Sequence, residues 1–456
     1  IRNGGRDEAL RQQLIERGRD LIWVPEYMRQ RYENWVNGLN GDWLISRQRF
    51  FGVPFPVWYQ LDGDGKPLHD KLLTAAFDRL PVDPTTDVPD GFTEAERGQP
   101  GGFAADPDVM DTWATSSLSP QLVTGWERDP DLFARTFPMD LRPQAHEIIR
   151  TWLFATVLRS HLEHDSLPWT HAAISGFVVD PDRKKMSKSK GNVVIPGDTL
   201  DRFGPDAVRW RAAMTRPGTD TPFDEGQMRV GRRLAVKLLN VAKFVLGFGV
   251  DAHDTALITE PLDRAAAQAL RQTIEQTTAA FEAYDYTRAL ETTERYFWTF
   301  CDDYVELVKQ RAYGDDADPR TRSARATLLT TLDVLLRLFA PIMPYVTEEA
   351  WSWWRDGSIH RAPWPTAADL GPDAGDAKVL EIASTVLSRV RGAKSDAKVS
   401  MRAEVAQLTV EGSADLVDLA RAAAPDLLAA GQAADVTWIV RDAEPGLTVE
   451  VALAGQ

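Results

Sequence analysis

The decapeptide RKKMSKSKGN, residues 183–192, packs four lysines and an arginine into a chain of 456 residues whose formal net charge is −15. Fixed cations at that density suit one task above others: meeting the negative charge that grows on a polyphosphate during displacement. Lys185 and Lys188 are three residues apart, and Met186 and Ser187 between them can turn the loop so that both ammonium groups face one point. Ser187, Ser189 and Gly191 are small, so they permit close backbone approach and add hydroxyl or N–H donors. The order is not that of a P-loop, because glycine follows lysine in Ser189-Lys190-Gly191-Asn192. The plainer alternative is a basic surface run for localisation or nonspecific nucleic-acid contact.

Such a loop needs a rigid mount. HAAISGFVVD (171–180) is a β-rich run ending in a turn, which places the lysines beyond the C-terminal edge of a strand, where open α/β sheets bind ligands. Before it, FPMDLRPQ (137–144) predicts a strand and AHEIIRTWLFATVLRSHLE (145–163) a helix. After it, 199–214 predicts a helix with Thr199 as cap. Strand, helix, strand, loop, helix is the order of a parallel α/β sheet. Residues 6–38 read as helical, and 60–108 as a Pro- and Gly-rich surface insertion of loops and short strands. From about 226 to 355 the spacing is helical throughout, a bundle of four to five helices. Beyond a linker at 360–377, a helix at 378–394 precedes strands near 405–411, 434–441 and 446–453, a small α/β appendage.

Bulk properties narrow the classes. Cys301 is the only cysteine, which excludes an intrachain disulfide and a cysteine-based zinc site and fits a reducing, cytoplasmic setting. No run of 18 apolar residues occurs, so a membrane span is not expected. An acidic total argues against nucleic acid, yet Arg183–Lys243 holds 14 Lys/Arg against 6 Asp/Glu, and local charge sets the footprint for a polyanion.

KMSKS followed by KGN, placed after a strand, resembles the signature loop of the class I aminoacyl-tRNA synthetases. Other blocks agree in order. SRQRFFGVPFPVW (46–58) resembles the segment returning from the editing insertion, and DPDVMDTWATSSL (106–118) the D-V-L-D-T-W-F-S-S block. AHEIIRTWLF (145–154) is similar to the helix lining the amino-acid pocket, and APIMPYVTEEAW (340–351) to the end of the anticodon-binding bundle. The resemblance spans roughly residues 20–400 and is strongest to the valine-specific members. It implies the second half of a Rossmann-like parallel sheet, then an α-helical anticodon-binding bundle and the α/β appendage. The implied divisions are 1–45, exit of the editing insertion; 46–194, catalytic half; 195–232, stem-contact region; 233–365, bundle; and 378–456, appendage.

The resemblance also implies roles. Lys185 and Lys188 are catalytic. ATP, carried with Mg2+ as substrate, meets Lys185, Met186, Ser187, Lys188 and Ser189, with backbone at Gly176, Phe177 and Val178 near adenine. Trp113, Ile148 and Trp152 wall the amino-acid pocket, the last two meeting on one helix face by their spacing of four. Rigid aromatic walls crowd out an extra methylene, for which these enzymes are themselves the standard example. Asp111 and Glu147 are candidates for the substrate ammonium, while His146 and Arg150 could reach ATP or the tRNA end. Each of these residues has a structural alternative: core packing for the aromatics, and capping or a solvated surface for the charges. No metal ligand and no zinc are implied; the partners are valine and its tRNA, with a monomer acting away from membranes.

Two features depart from the family. No His-x-Gly-His occurs among the seven histidines, and residues 400–456 alternate like strands rather than repeating in heptads as a coiled coil would. The chain therefore resembles the carboxy-terminal part of such an enzyme. An isoleucine-specific enzyme and a non-catalytic tRNA-binding derivative are the other readings. Residues 1–456 alone are expected to be inactive in valine-dependent ATP–pyrophosphate exchange; a rate comparable to an intact synthetase would contradict that.

Overall fold

Along Trp169–Ser175, Trp169, Ala172 and Ile174 are buried while Thr170 and Ser175 are exposed. In the computed structural model, which describes residues 7–249, 254–371, 375–441 and 446–454, this segment is the middle strand of a three-stranded sheet. Ile22–Val24 and Met139–Ala145 flank it, both parallel, with Leu141 and Ile22 each opposite His171. Parallel neighbours need a crossover, and residues 146–164 supply it for Met139–Ala145. The mixed α/β class with a parallel sheet expected from the sequence is the one observed.

The chain divides into two units, Ile1–Phe177 with Pro217–Asp220, and Val178–Arg216 with Thr221–Gln456. The first unit has its core beneath the parallel sheet, built from Leu14, Tyr32, Val36, Ile149, Leu153, Val157 and Ile174. The helix expected over 6–38 is interrupted: Glu8–Asp20 and Arg29–Asn37 are helical, but Ile-Trp-Val at 22–24 is a strand, its β-formers recruited by the exposed edge of the neighbouring strand and followed by Pro25. Residues 46–47 pair antiparallel with 109–110, closing a neck around the insertion. Within it Val57–Leu61, Pro67–Thr74 and Phe103–Ala105 form an antiparallel sheet on the fully buried Trp58, whose indole donates to Pro84 O at 2.9 Å.

In the second unit the helix expected over 199–214 is two, Pro196–Phe203 and Pro205–Ala213. Gly204, at φ 83°, followed by Pro205 breaks it, and Thr199 lies inside the first piece rather than at its cap. Among the described residues six α-helices follow between Glu225 and Ser352, rather than four to five, because the π-helical turn Phe300–Tyr304 divides one long helix in two. Pro319–Phe339 is buried on nearly every face from Ser323 onward, which makes it the bundle's central helix. Cys301 is buried in a π-helical turn, Phe300–Tyr304, and burial pushes its thiol up to about 12. Residues 405–412 form the middle strand of the appendage, parallel to Val436–Val440 and antiparallel to Thr448–Leu453, with two short helices between the first pair.

A buried charge cluster ties bundle to appendage. Arg311 bonds Asp263 at 2.7 Å and Asp426 at 2.9 Å, and Asp263 also accepts from Tyr304 (2.7 Å) and Ser323 (2.6 Å). All three charged side chains are less than a tenth exposed. Removing the cation leaves two carboxylates buried without it, so Arg311→Ala should cost about 3–5 kcal/mol. Arg311→Lys should recover little, because an ammonium cannot fork to two carboxylates. Thermal melts followed by circular dichroism measure both.

Candidate functional site

The first unit assembles most of the pocket candidates around the crossover. The expected continuous helix from 145 is instead a 3-10 turn, His146–Ile148, a π-helical turn, Ile149–Leu153, and then an α-helix, Phe154–His164. Insertions of this kind widen a helix and often mark functional sites. The spacing-of-four rule therefore does not apply to Ile148 and Trp152: Ile148 ends the 3-10 turn at φ −96°, ψ 10°, half-buried against the same core that buries Trp152. Trp152 is fixed on three sides. It stacks on Trp169 at 5.2 Å and 7°, Arg142 lies 3.8 Å over its ring, and its indole donates to Ser116 O at 3.0 Å. Burial draws the Arg142 guanidinium below its ordinary range.

That indole bond anchors the short helix Thr112–Ser116, which carries Trp113. Arg159 adds a second anchor, donating to Ser117 Oγ at 2.8 Å. The helix starts on Asp111, whose Oδ1 accepts from Trp113 N–H at 2.8 Å while Oδ2 pairs with Arg47 from the neck. Asp111 is buried, and Trp113 is left 37% exposed, a large aromatic face open for contact. Glu147 and Arg150 are exposed on the crossover.

At the C-terminal end of the middle strand, Gly176 lies against the backbone of Thr219. A Cβ there would fall 2.2 Å from its carbonyl oxygen, so only glycine fits. Phe177 N–H donates to Asp220 Oδ1 at 2.8 Å, and the His146 ring meets the Phe177 ring at 4.5 Å. Residues 217–220 thus clasp the strand end that the family resemblance assigns to adenine.

In the second unit Val178 and Val179 pair in parallel with Thr221 and Pro222, and the chain then folds back on itself. Val179 bridges Lys185, and Asp180 N–H donates to Lys184 O at 2.9 Å. The Asp180 carboxylate, nearly buried, accepts from Lys184 N–H at 2.7 Å and from Asn192 Nδ2 at 2.8 Å. Asn192 Oδ1 in turn accepts from Ser187 N–H at 2.9 Å, and Ser187 and Ser189 hydroxyls stand 3.3 Å apart. Arg183 and Gly191 turn the chain with positive φ. Lys185 is exposed and Met186 half-buried; the side chain of Lys188, at the start of the 3-10 turn Lys188–Lys190, lies outside the described residues. The result is a short loop with its backbone stapled and its cationic flank turned to solvent.

The family model "tRNA synthetases class I (I, L, M and V)" matches residues 6–224, and "Anticodon-binding domain of tRNA ligase" matches residues 263–410. The chain belongs to the class I aminoacyl-tRNA synthetases. It is 59% identical over 461 residues to a valine–tRNA ligase of Thermobifida fusca, covering 100% of this chain and 52% of that protein. It is 57% identical over 441 residues to a valine–tRNA ligase of Cutibacterium acnes, covering 96% and 50%. The chain spans about half the length of the curated relatives it matches. A leucyl-tRNA synthetase from Agrobacterium radiobacter K84, solved in a ternary complex, shares the fold at TM-score 0.59 and 23% identity over 73% of this chain and 43% of that one.

For a class I synthetase half of this kind, Asp180, Asn192, Arg142 and Asp220 are the residues that sequence reasoning missed. Asn192 lay within the quoted decapeptide and Asp180 at the end of its strand, but only the fold-back shows that they meet. Hydrogen bonds from Asn192 and the Lys184 amide hold the Asp180 carboxylate below its usual range. A lowered value means the clasp is complete above the ordinary aspartate range and is lost as the pH falls through the depressed value. Asn192→Ala should speed amide exchange at Ser187 by about tenfold, one bond's worth. Asp180→Ala should do the same at Lys184. Exchange mass spectrometry at neutral pH reads both, and as the pH falls through the depressed value the wild type should approach the Asp180 variant.

Proposed function

We propose that this chain supplies the signature loop, part of the amino-acid pocket and the anticodon-binding region of a valine–tRNA ligase. The observation that carries the reading is identity of 57–59% to valine–tRNA ligases along essentially the whole chain. The stapled lysine loop supports it. In the first step a carboxylate oxygen of valine attacks the α-phosphorus of ATP, delivered with Mg2+ as substrate. The α–β P–O bond breaks, and pyrophosphate leaves with the electron pair. In the second a terminal ribose hydroxyl of the tRNA attacks the activated carbonyl, and AMP departs.

Lys185 and Lys188 oppose the charge that grows on the phosphates, while Met186, Ser187 and Ser189 shape the loop that aims them. The strand end at Gly176, Phe177 and Val178 faces adenine. Trp113, Ile148 and Trp152 wall the valine pocket, and the stack on Trp169 makes the Trp152 wall rigid. Asp111 and Glu147 are the candidates for the substrate ammonium, and Asp111 also places Trp113 through the Trp113 amide and Arg47. The bundle binds the tRNA's unpaired anticodon bases by stacking and base-edge contacts. The enzyme acts as a monomer in the cytoplasm.

The test uses the full-length enzyme. Lys188→Ala should lower the rate of valine-dependent pyrophosphate exchange by about 10²–10³, the usual loss for a fixed transition-state donor, with the valine KM little changed. An unaltered rate refutes the role. Exchange supported equally by isoleucine refutes the valine assignment.

A further inference from the structure

A recess of about 580 Å³ opens in the second unit between the bundle helix Val305–Ala312, the long helix Lys378–Asp396, the turn after it and the end of the helix Ala424–Gly431. Its charged lining is Lys309, Arg391, Lys394 and Arg402 against the single carboxylate of Glu306. Two of the cations are answered locally: Lys309 lies 3.4 Å from Glu306, and Arg391 lies 3.5 Å from Asp303. The other two form no ion pair among the described residues. Arg402 is exposed at the rim. Lys394 is 1% exposed, and its ammonium donates only to neutral carbonyls, Gly431 O at 2.9 Å and Met401 O at 3.0 Å.

A buried ammonium ordinarily has an anion beside it, because desolvating the charge is costly. Here burial draws Lys394 below the ordinary lysine range. Its two carbonyl bonds fix the wall of the recess: one caps the end of the Ala424–Gly431 helix, the other holds the turn that carries Arg402. A preformed cationic hollow in a chain of net charge −15 calls for a ligand that brings negative charge and accepts several N–H bonds.

We propose that this recess binds phosphate, presented by the backbone of an RNA lying along the bundle, or else as a free polyphosphate of the same chemistry. The RNA source rests on the tRNA-ligase reading above; the phosphate site does not. Lys309 and Arg402 contact the phosphate oxygens, and Lys394 holds the wall and supplies field from behind.

The experiment compares the 456-residue chain with the double variant Lys309→Glu/Arg402→Glu, both exposed positions, and with Lys66→Glu/Lys71→Glu in the insertion as a control. Melting temperature is checked for all three. Binding of a valine tRNA transcript is measured between 50 and 200 mM salt, and binding of inorganic tripolyphosphate by calorimetry. The recess variant should bind the transcript at least tenfold more weakly at low salt, with the slope of log K on log salt reduced by about two; the control should stay within twofold. If the wild-type chain ignores the transcript but binds tripolyphosphate, and the recess variant does not, the phosphate site stands and the tRNA reading fails. If the wild-type chain binds the transcript and the recess variant matches it in affinity and slope, with no tripolyphosphate binding lost, the site is refuted while the tRNA reading survives. Binding of neither probe by the wild type refutes both.

Discussion

Mutual repulsion is the constraint that the lysine loop has to satisfy. Five cations fall between Arg183 and Lys190, and each exposed pair ~6 Å apart repels by about 0.7 kcal/mol in water. Left alone, such a segment extends and its charges disperse. Against dispersal, the exposed Lys184–Asp182 pair at 3.7 Å adds little; the larger constraint lies elsewhere. It is a set of bonds to the backbone: Asp180 takes the Lys184 amide, Asn192 takes the Ser187 amide, and the two side chains bond each other. A hydrogen bond to a charged acceptor, as at Asp180, is stronger than one between neutral groups. The fold-back is therefore held through its backbone.

The amino-acid pocket candidates follow the same division of labour, with one group touching and another holding. Trp152 is the most constrained of them, packed between Trp169 and Arg142 and tied to Ser116. Its rigidity passes through that last bond to the helix bearing Trp113, which Asp111 and Arg47 seat on the neck of the insertion. The insertion is thus joined to the parallel-sheet unit beside the candidate residue Trp113. A wall that cannot yield is what discriminating one methylene demands, since the hydrophobic difference itself is only about 0.8 kcal/mol.

The legible parts of this sequence were those in which one signal sufficed. Helical periodicity located the bundle, and the alternation in residues 405–453 located the appendage strands within two residues. The KMSKS pattern located the loop. The illegible parts were those in which tertiary context decided. Ile22–Val24 sits in a run of helical spacing and becomes a strand because a neighbouring strand has an open edge. The 145–163 segment has the right apolar period, yet its first two turns are 3-10 and π, so the geometry inferred for Ile148 and Trp152 did not follow. Asp180 and Asn192 are twelve residues apart with nothing in their spacing to pair them. Gly176 was noticed as a strand end; that it admits the backbone of Thr219 is a long-range fact.

The acidic total and the basic sites are reconciled by where the charge lies. The insertion, residues 60–108, holds 11 Asp/Glu against 4 Lys/Arg, nearly half of the net −15. At physiological ionic strength fields between exposed charges decay over about 8 Å. What a phosphate feels is the charge within one or two such lengths. The lining of the recess around Lys394 is cationic, and Arg183–Lys190 holds five cations in eight residues. An acidic total is therefore compatible with local cationic clusters: in the loop the Asp180 carboxylate is engaged by the Lys184 amide and Asn192.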